Sequence, residues 1–481
     1  MMALSINYNL ILIVFFLINL LQGFLTPISH DEAYYYITYT KAFSFGHFDH
    51  PPMVGWLLQL GEFLSRTIAG EVHVGFLRFP FLIISTLSLS VWLNFLQQFE
   101  IKIKKIHLLA VTLGFIFLNT SAFLSLPDSP LFFFSILYYY FLHQFLKNSS
   151  VKNIILLSVV IVLGLFSKYH FFLNILFSLI FMPSLLQKKE TYLVLILSLL
   201  GFSPHLIWQW QNNFITFAFH LGGHGGSKIV PFGQFFVELI ANVIIFSSFG
   251  FTLIYFLAFN HFKKNITNNF ILKIIFYSVL AQLIFFSLLS LKFRIEGNWL
   301  LNLSICLYTV LLLGFSHFST LLKRLFLFFL WINFGLVLIF RILLISPWAA
   351  NYIPRMAELH HWPSLAQDIR QKCESKIMFA NGYQMASKLS YYLKEDIWAL
   401  HLTGRQSEFS FISQKMDNQS FANSSSREIC FVTDDGIDNK NLIKNNLGIK
   451  YIKIKTIFDG TIVVVPNIDL DTLKDILSQD I

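Results

Sequence analysis

Long apolar runs recur along this chain, and they constrain the fold more than any motif does. Stretches of roughly 17–25 residues with few charges read as membrane-spanning helices. Candidate spans are 7–25, 74–97, 106–126, 129–147, 152–167, 169–186, 191–210, 233–259, 271–291, 298–317 and 323–345, about eleven by that rule. Composition agrees: 55% of the 481 residues are hydrophobic and only 13% are charged. A soluble domain carries about 25% charged residues. The net charge of +9 does not imply a nucleic-acid partner, because the cations sit in short loops between the apolar runs. The first run, "NLILIVFFLINLLQGFL" (9–25), follows no basic segment and precedes no small-residue cleavage site. It is expected to be a retained span rather than a signal peptide.

The stretch 152–186 is too long for one straight helix at about 1.5 Å per residue, and Lys168 falls near its middle, so the reading divides it there. The lysine- and arginine-rich segments 100–107, 147–153, 187–190, 261–265 and 321–325 then share one side of the bilayer, the cytoplasmic side by the positive-inside rule. The N-terminus is expected to be cytoplasmic. The loops 27–73, "LPDSP" (126–130), "FSKYH" (166–170), 211–232 and "LKFRIEGNW" (291–299) fall on the other side. Two domains follow: a transmembrane domain, 1–346, with a long outer loop at 26–73, and a small extracytoplasmic α/β domain, 347–481. In the latter, strand-like "REICFVTDD" and "IKYIKIKT" accompany helical "SLAQDIRQKC" and "YQMASKLSYYL". "NQSFANSSSRE" (418–428) reads as a flexible loop. No CxxC pattern exists among the three cysteines, which argues against a thiolate zinc site. Cys373 and Cys430 both lie in the outer domain, where thiols can oxidise, and are expected to pair.

The unusual polar residues gather on the outer side. Asp31, Glu32, Asp49 and His50 lie in "SHDEAYYYITYTKAFSFGHFDHPP" (29–52). Asp128 lies in "LPDSP", Lys168 in "FSKYH", His220 and His224 in "FHLGGHGGS", and Arg294 and Glu296 in "KFRIEGNW". Each has an ordinary explanation. Asp31 can cap a helix, Asp128 can hold a turn, Lys168 can snorkel to the interface, and a loop histidine is more often packed or solvated than a ligand. Together, at membrane depth, such groups point to function.

The strings "DEAYYY…GHFDHPPMVGWLLQLGEFL", "PDSPLFFFSILYYYFL", "GLFSKYHFFL", "EGNWLLNLSICLY" and "NGYQMASKLSYYL", in this order, resemble the dolichyl-phosphate-mannose-protein mannosyltransferase-like enzymes of the GT-C glycosyltransferase superfamily. The bacterial lipid A aminoarabinose transferases are among them. The resemblance implies an α-helical polytopic fold with a C-terminal α/β domain, in a bacterial inner membrane. It also implies transfer of a sugar from a polyprenyl-phosphate donor to a lipid, glycan or protein acceptor outside the cytoplasm. An acceptor hydroxyl needs a carboxylate to take its proton, and a departing phosphate needs cationic or dipolar stabilisation.

Carried over residue by residue, Asp31 is the leading base or acceptor-positioning group and Glu32 its neighbour in the family's acidic pair. Asp49 matches the second acid of the first loop. Asp128 matches the Pro-Asp turn. His50 stands where the aminoarabinose transferases have lysine, and Tyr34 where they have arginine. Phosphate contact is therefore expected from His50 and Tyr35 together with Lys168 or Arg294. His220 falls where some relatives have a histidine that holds a divalent ion with the "FDHPP"-type acid. Asp49 and His220 are thus a candidate zinc or manganese pair, with His224 an alternative, although one carboxylate and one imidazole make a thin site. No nucleotide or redox cofactor is expected. A transporter or flippase is the alternative outside enzymes, but those fold from internal repeats with midplane charges, and neither is evident. An oligosaccharyltransferase or an O-antigen ligase is the alternative within them.

Overall fold

The helices begin and end where the apolar runs meet their first breaker. A computed structural model describes residues 8–221, 234–246, 248, 250–266, 269–291, 294–374, 377–400, 406–415, 428–434, 452–455 and 461–469. His224 and residues 418–427 of the expected flexible loop lie outside the described residues. Among those described, Val74–Gln97, Lys189–Gln211, Phe270–Leu289, Gly297–His317 and Thr320–Ile345 are each long and apolar enough to cross a bilayer as single helices. Three further candidates are bent pairs: Asn9–Leu25 with His30–Tyr39 at 82°, Lys105–Gly114 with Ile116–Phe123 at 61°, and Phe235–Phe246 with Phe251–Leu257 at 94°. Val151–Ser167 and Tyr169–Phe181 are shorter apolar helices, and Asp128–Lys147 is a tyrosine-rich helix of 20 residues. The expected spans are thus helical where described, but several are bent or short rather than straight.

Each break has a local cause. Helix Val151–Ser167 stops at Lys168, whose backbone is extended (φ −165°, ψ 141°), so the expected division falls at that residue. Gly250 takes φ 84° to start the second half of the sharpest bend, a conformation costly for other residues. At Phe115 the chain leaves helical geometry, and the Asn333 amide donates to the buried Gly114 carbonyl at 2.6 Å. The first helix ends at Thr26, before Pro27, and Ser29 starts the next by capping the Glu32 amide. The bend at that point lays helix His30–Tyr39 across the end of the bundle.

Three of the five basic segments, those next to Gln98, Phe145 and Lys188, meet near the C-terminal end of helix Asp128–Lys147. Gln144 donates to Gln98 at 3.4 Å, and the Lys188 ammonium lies 5.8 Å from the Phe145 ring centre. Two distinct ends result, one basic and one carrying the acidic and aromatic loops.

The C-terminal region is a small sheet flanked by helices. The strands are β1 (Ile377–Asn381), β2 (Trp398–Leu400), β3 (Glu428–Asp434), β4 (Ile452–Lys455) and β5 (Thr461–Asp469), in the spatial order β2-β1-β3-β5-β4. β1 runs parallel to β2 and β3, while β5 is antiparallel to β3 and β4. Cys373, ending helix Trp362–Cys373, is disulfide-bonded to Cys430 on β3, with Cα atoms 5.5 Å apart. The expected pairing is therefore present.

One apolar core joins this domain to the first loop. Tyr34, Val54 and Leu77 share it with Trp362, Leu389 and Val432. Polar ties close its margins: His30 to Glu358 at 2.7 Å, Lys41 to Asp396 at 3.2 Å, and Lys394 to Glu71 at 2.5 Å. Lys388, fully buried, donates to the Ile28 carbonyl beneath the rings of Trp362 and Tyr392. The domain sits on the first loop as a lid on its rim.

Candidate active site

Beneath that lid lies a cavity of about 1090 Å³. Its wall has two characters. Asp31, Asp49, His50, Lys168, His170 and His220 supply polar atoms. Leu165, Phe172, Leu199, Phe202, Phe285 and Leu289, from helices of the bundle, supply an apolar stretch. Tyr383 and Gln384, from the helix after β1, close it from the C-terminal domain.

The neighbours of Asp31 carry the start of its helix. Ser29 accepts the Glu32 amide at 3.3 Å, and the Glu32 carboxylate accepts the Ser29 amide at 3.0 Å, a complete capping box. The cap is therefore Ser29. Asp31 stands one residue beyond the helix start, exposed, on the cavity wall. The ordinary explanation for Asp31, helix capping, does not apply.

Glu32 does not reach the cavity. It is 0% exposed and meets the Arg78 guanidinium in two bonds of 2.7 Å. The Ser125 amide and hydroxyl add bonds at 2.8 and 3.0 Å. Arg78 also donates to the carbonyls of Gly23, Thr26 and Pro27. Burial by itself would raise the Glu32 pKa, but the charge and hydrogen bonds of Arg78, with the amides of Ser125 and Ser29, hold it well below the usual carboxylate range. The expectation that Glu32 acts in catalysis is thus corrected: it braces the bend between the first span and the loop helix.

Asp49 is 2% exposed and its carboxylate is already engaged. Oδ1 accepts the Tyr34 hydroxyl at 3.3 Å and the Tyr39 hydroxyl as well. Burial, then the negative charge of Asp49, raises both phenols well above their ordinary pKa, so both remain donors. Pro52 then starts helix Met53–Ala69, which fixes the "FDHPP" turn against the cavity. Tyr35 and His50 line the wall with ring centres 5.7 Å apart.

Asp128 opens helix Asp128–Lys147 and binds across to two other elements. The Lys168 ammonium lies 2.9 Å from its Oδ1, and the Asn298 amide donates to Oδ2 at 3.2 Å. Lys168 is buried in the break between two helices, yet lines the cavity. The two sequence candidates are therefore one ion pair. Arg294, in contrast, is turned away: its side chain is 66% exposed and pairs with Glu238 at 3.0 Å, and it does not line the cavity, although Glu296 does. The expected phosphate role of Arg294 is corrected on that ground. His170, facing the cavity beside Trp299 at 4.9 Å, escaped the sequence reading.

His220 and Asp49 do come together, but through the backbone. His220 Nε2 lies 2.9 Å from the Asp49 carbonyl oxygen, which requires that nitrogen to carry a proton and leaves it no lone pair for a metal. The Asp49 carboxylate meanwhile accepts from two phenols. Among the described residues, no group of three or more His, Cys, Asp or Glu side chains could hold a metal ion. Two side chains fall short of the three or four protein ligands a zinc site uses, so the residues do not fit the zinc or manganese pair, and no step is routed through one. Exhaustive chelation is expected to leave transfer unchanged; loss of activity restored only by added Zn²⁺ or Mn²⁺ would reinstate the pair.

Residues 49–208 match the family model described as dolichyl-phosphate-mannose-protein mannosyltransferase. No curated protein sequence matches the chain significantly. Among solved structures, ArnT from Cupriavidus metallidurans in the apo state superposes with a TM-score of 0.65 at 12% identity, covering 95% of this chain and 97% of that one. The same protein bound to undecaprenyl phosphate gives 0.64 at 12% identity, covering 96% and 98%. The oligosaccharyltransferase from Archaeoglobus fulgidus superposes more loosely, with 0.43 at 12% identity, covering 88% and 68%. This chain is thus a membrane protein of the GT-C glycosyltransferase fold, resembling the dolichyl-phosphate-mannose-protein mannosyltransferases and the lipid A aminoarabinose transferases.

Proposed function

We propose that the protein transfers a sugar from a polyprenyl-phosphate donor to a lipid, glycan or protein acceptor on the extracytoplasmic face of a bacterial inner membrane. The observation that carries this reading is the cavity, in which an acid-lined polar end runs into an apolar end among the bundle helices. A polyprenyl phosphate has that same division, a charged head on a long hydrocarbon tail. The undecaprenyl phosphate held by ArnT supports the donor class. The disulfide on the cavity side suits an oxidising compartment, and the three basic segments at the other end suit the cytoplasm.

In this reading the tail lies along Phe172, Phe202 and Phe285, where it keeps its hydrocarbon environment. The phosphate lies by Lys168, with His50, His170 and His220 near it. Asp31, an exposed carboxylate of the wall, accepts the proton of the acceptor hydroxyl as that oxygen bonds to the sugar's anomeric carbon. The bond from that carbon to the phosphate oxygen breaks, and its electron pair leaves with the phosphate. Lys168 stabilises the charge that develops there, and Asp128 holds the ammonium in place. Asp49, locked by Tyr34 and Tyr39, shapes the wall beside Asp31.

The test is transfer of label from polyprenyl-phosphate-linked sugars to a membrane extract by the purified protein. Movement of the lipid across the bilayer with no labelled product would favour the flippase alternative. Lys168→Met sharpens it. Loss of one charge-assisted contact of about 1.5–3 kcal/mol should raise the donor KM by roughly ten- to a hundredfold at that energy. The double variant Lys168→Met, Asp128→Asn removes the stranded carboxylate. A donor KM still raised in the double variant identifies a phosphate contact. Recovery there would make Lys168 only the counter-ion of Asp128.

A further inference from the structure

A buried side chain of the C-terminal domain, Glu408, reaches the residues that surround Asp49, the second acid of the first loop. Glu408 opens helix Glu408–Lys415, and 5% of its surface is exposed. Its carboxylate accepts the Phe48 amide at 2.5 Å through Oε2 and lies 3.3 Å from His47 Nδ1 through Oε1. Its own backbone amide donates to the Tyr34 hydroxyl at 2.9 Å. That hydroxyl donates onward to Asp49 Oδ1 at 3.3 Å.

The direction of these bonds matters. A tyrosine hydroxyl has one proton to give. With the Glu408 amide filling an acceptor position, the Tyr34 proton is turned toward Asp49. On the other side of the carboxylate, the Phe48 amide and His47 are fixed, and they immediately precede Asp49 in the chain. His47 is itself held flat on Tyr39, with ring centres 3.7 Å apart and planes within 12°, and Tyr39 is the second donor to Asp49. Glu408 therefore grips Asp49 from two directions, along the backbone and through both phenols. All four partners are buried, so water does not compete for these bonds.

We propose that Glu408 is a positioning residue: it holds the segment around Asp49 in its working shape, so that the cavity wall is complete only when the C-terminal domain is seated. The proposal rests on the transfer reading for its kinetic consequence, but its structural half stands independently. The two lysine ties at the rim do not do this. Lys394–Glu71 and Lys41–Asp396 lie at the exposed rim, away from Asp49.

The experiment uses the full-length protein in lipid nanodiscs. Hydrogen exchange of residues 44–50 is followed without substrate, and transfer from an undecaprenyl-phosphate-linked sugar is followed separately. Glu408→Ala is expected to speed exchange in 44–50 at least tenfold. It should lower kcat at least tenfold while the donor KM stays within about threefold, because Lys168, the cation assigned to the phosphate, is held by Asp128 outside this segment. Glu408→Gln keeps a carbonyl oxygen for the Phe48 amide and is expected to restore most of both. Lys394→Ala, at the rim, should change neither.

Unchanged exchange in Glu408→Ala would overturn the proposal whatever the substrate proves to be. Faster exchange with an unchanged kcat would also overturn it, leaving Glu408 a mere packing contact. Faster exchange in Glu408→Ala, beside a wild-type protein that transfers no sugar, would support the grip and reject the transfer reading. A general loss of fold would show as faster exchange throughout helix Leu301–Gly314, and in that case Glu408→Gln decides. Wild-type exchange in 44–50 for the Gln variant supports the grip; exchange as fast as in the Ala variant overturns it.

Discussion

Asp31→Asn is expected to lower sugar transfer by about 10²–10⁴-fold, the range a positioned general base contributes, with the fold unchanged. The physical case lies in what Asp31 does not do. Helix His30–Tyr39 is capped by Ser29 and closed by Glu32, so its start does not depend on the Asp31 side chain. An amide there keeps the shape and the hydrogen-bonding reach but takes no proton at neutral pH. A negative charge in the first helical turn stabilises a surface helix by about 0.3–1 kcal/mol, so a small fall in melting temperature accompanies the change. Initial rates with a labelled donor, set beside thermal melting, separate the two effects. Wild-type rates in the Asn variant would remove Asp31 from the proton transfer and turn attention to Glu296, another carboxylate on the wall.

Much of this site was legible because its residues break the rules of their surroundings. An acid between prolines, a lysine in the middle of an apolar run and an acidic loop beside the first span each cost free energy in a membrane unless something nearby compensates. Asp128 and Lys168 proved to be that compensation for each other, which the sequence could place on one side but not at contact distance. The bend at Lys168 was legible for the same reason: a helix of that length has to break, and the charge marks the spot.

Glu32 was misread because "DE" looks like one motif. The string Ser29-His30-Asp31-Glu32 is also S-x-x-E, the pattern of a capping box, and that reading separates the two acids, turning Glu32 back toward Ser29. Its partner could have been suspected too. "VGFLRFPF" places Arg78 in the second turn of an apolar span, where an ionised group needs a counter-charge. Glu408 carried no comparable signal. It stands in an unremarkable stretch, 359 residues after Asp49, and only the seating of the C-terminal domain brings it to the first loop. Arg294 shows the converse: a cation in the right loop whose side chain points to Glu238 and solvent.

Breaking the Glu32–Arg78 pair should have the largest effect on stability. Arg78→Met leaves a carboxylate that is 0% exposed without its counter-charge, a change that costs about 3–5 kcal/mol in buried pairs. It also strips the carbonyls of Gly23, Thr26 and Pro27 of their donor, so the bend that aims Asp31 loosens. Glu32→Gln leaves the guanidinium stranded instead, and should destabilise too. The double variant Glu32→Gln, Arg78→Met removes both charges and should recover part of the loss, since two neutral groups of similar volume tolerate burial better than one ion. The pH dependence has a definite sign. Because the folded pKa of Glu32 is depressed, its contribution is fully present above the ordinary carboxylate pKa. It fades only as pH falls below that range toward the folded value. Thermal melting of the four proteins in detergent, with transfer rates measured well below each melting point, tests the brace. Brace and catalyst differ in what Glu32→Gln does: a brace lowers the melting temperature, and activity falls with it. A Gln variant that melts with the wild type and transfers no sugar would return Glu32 to the reaction.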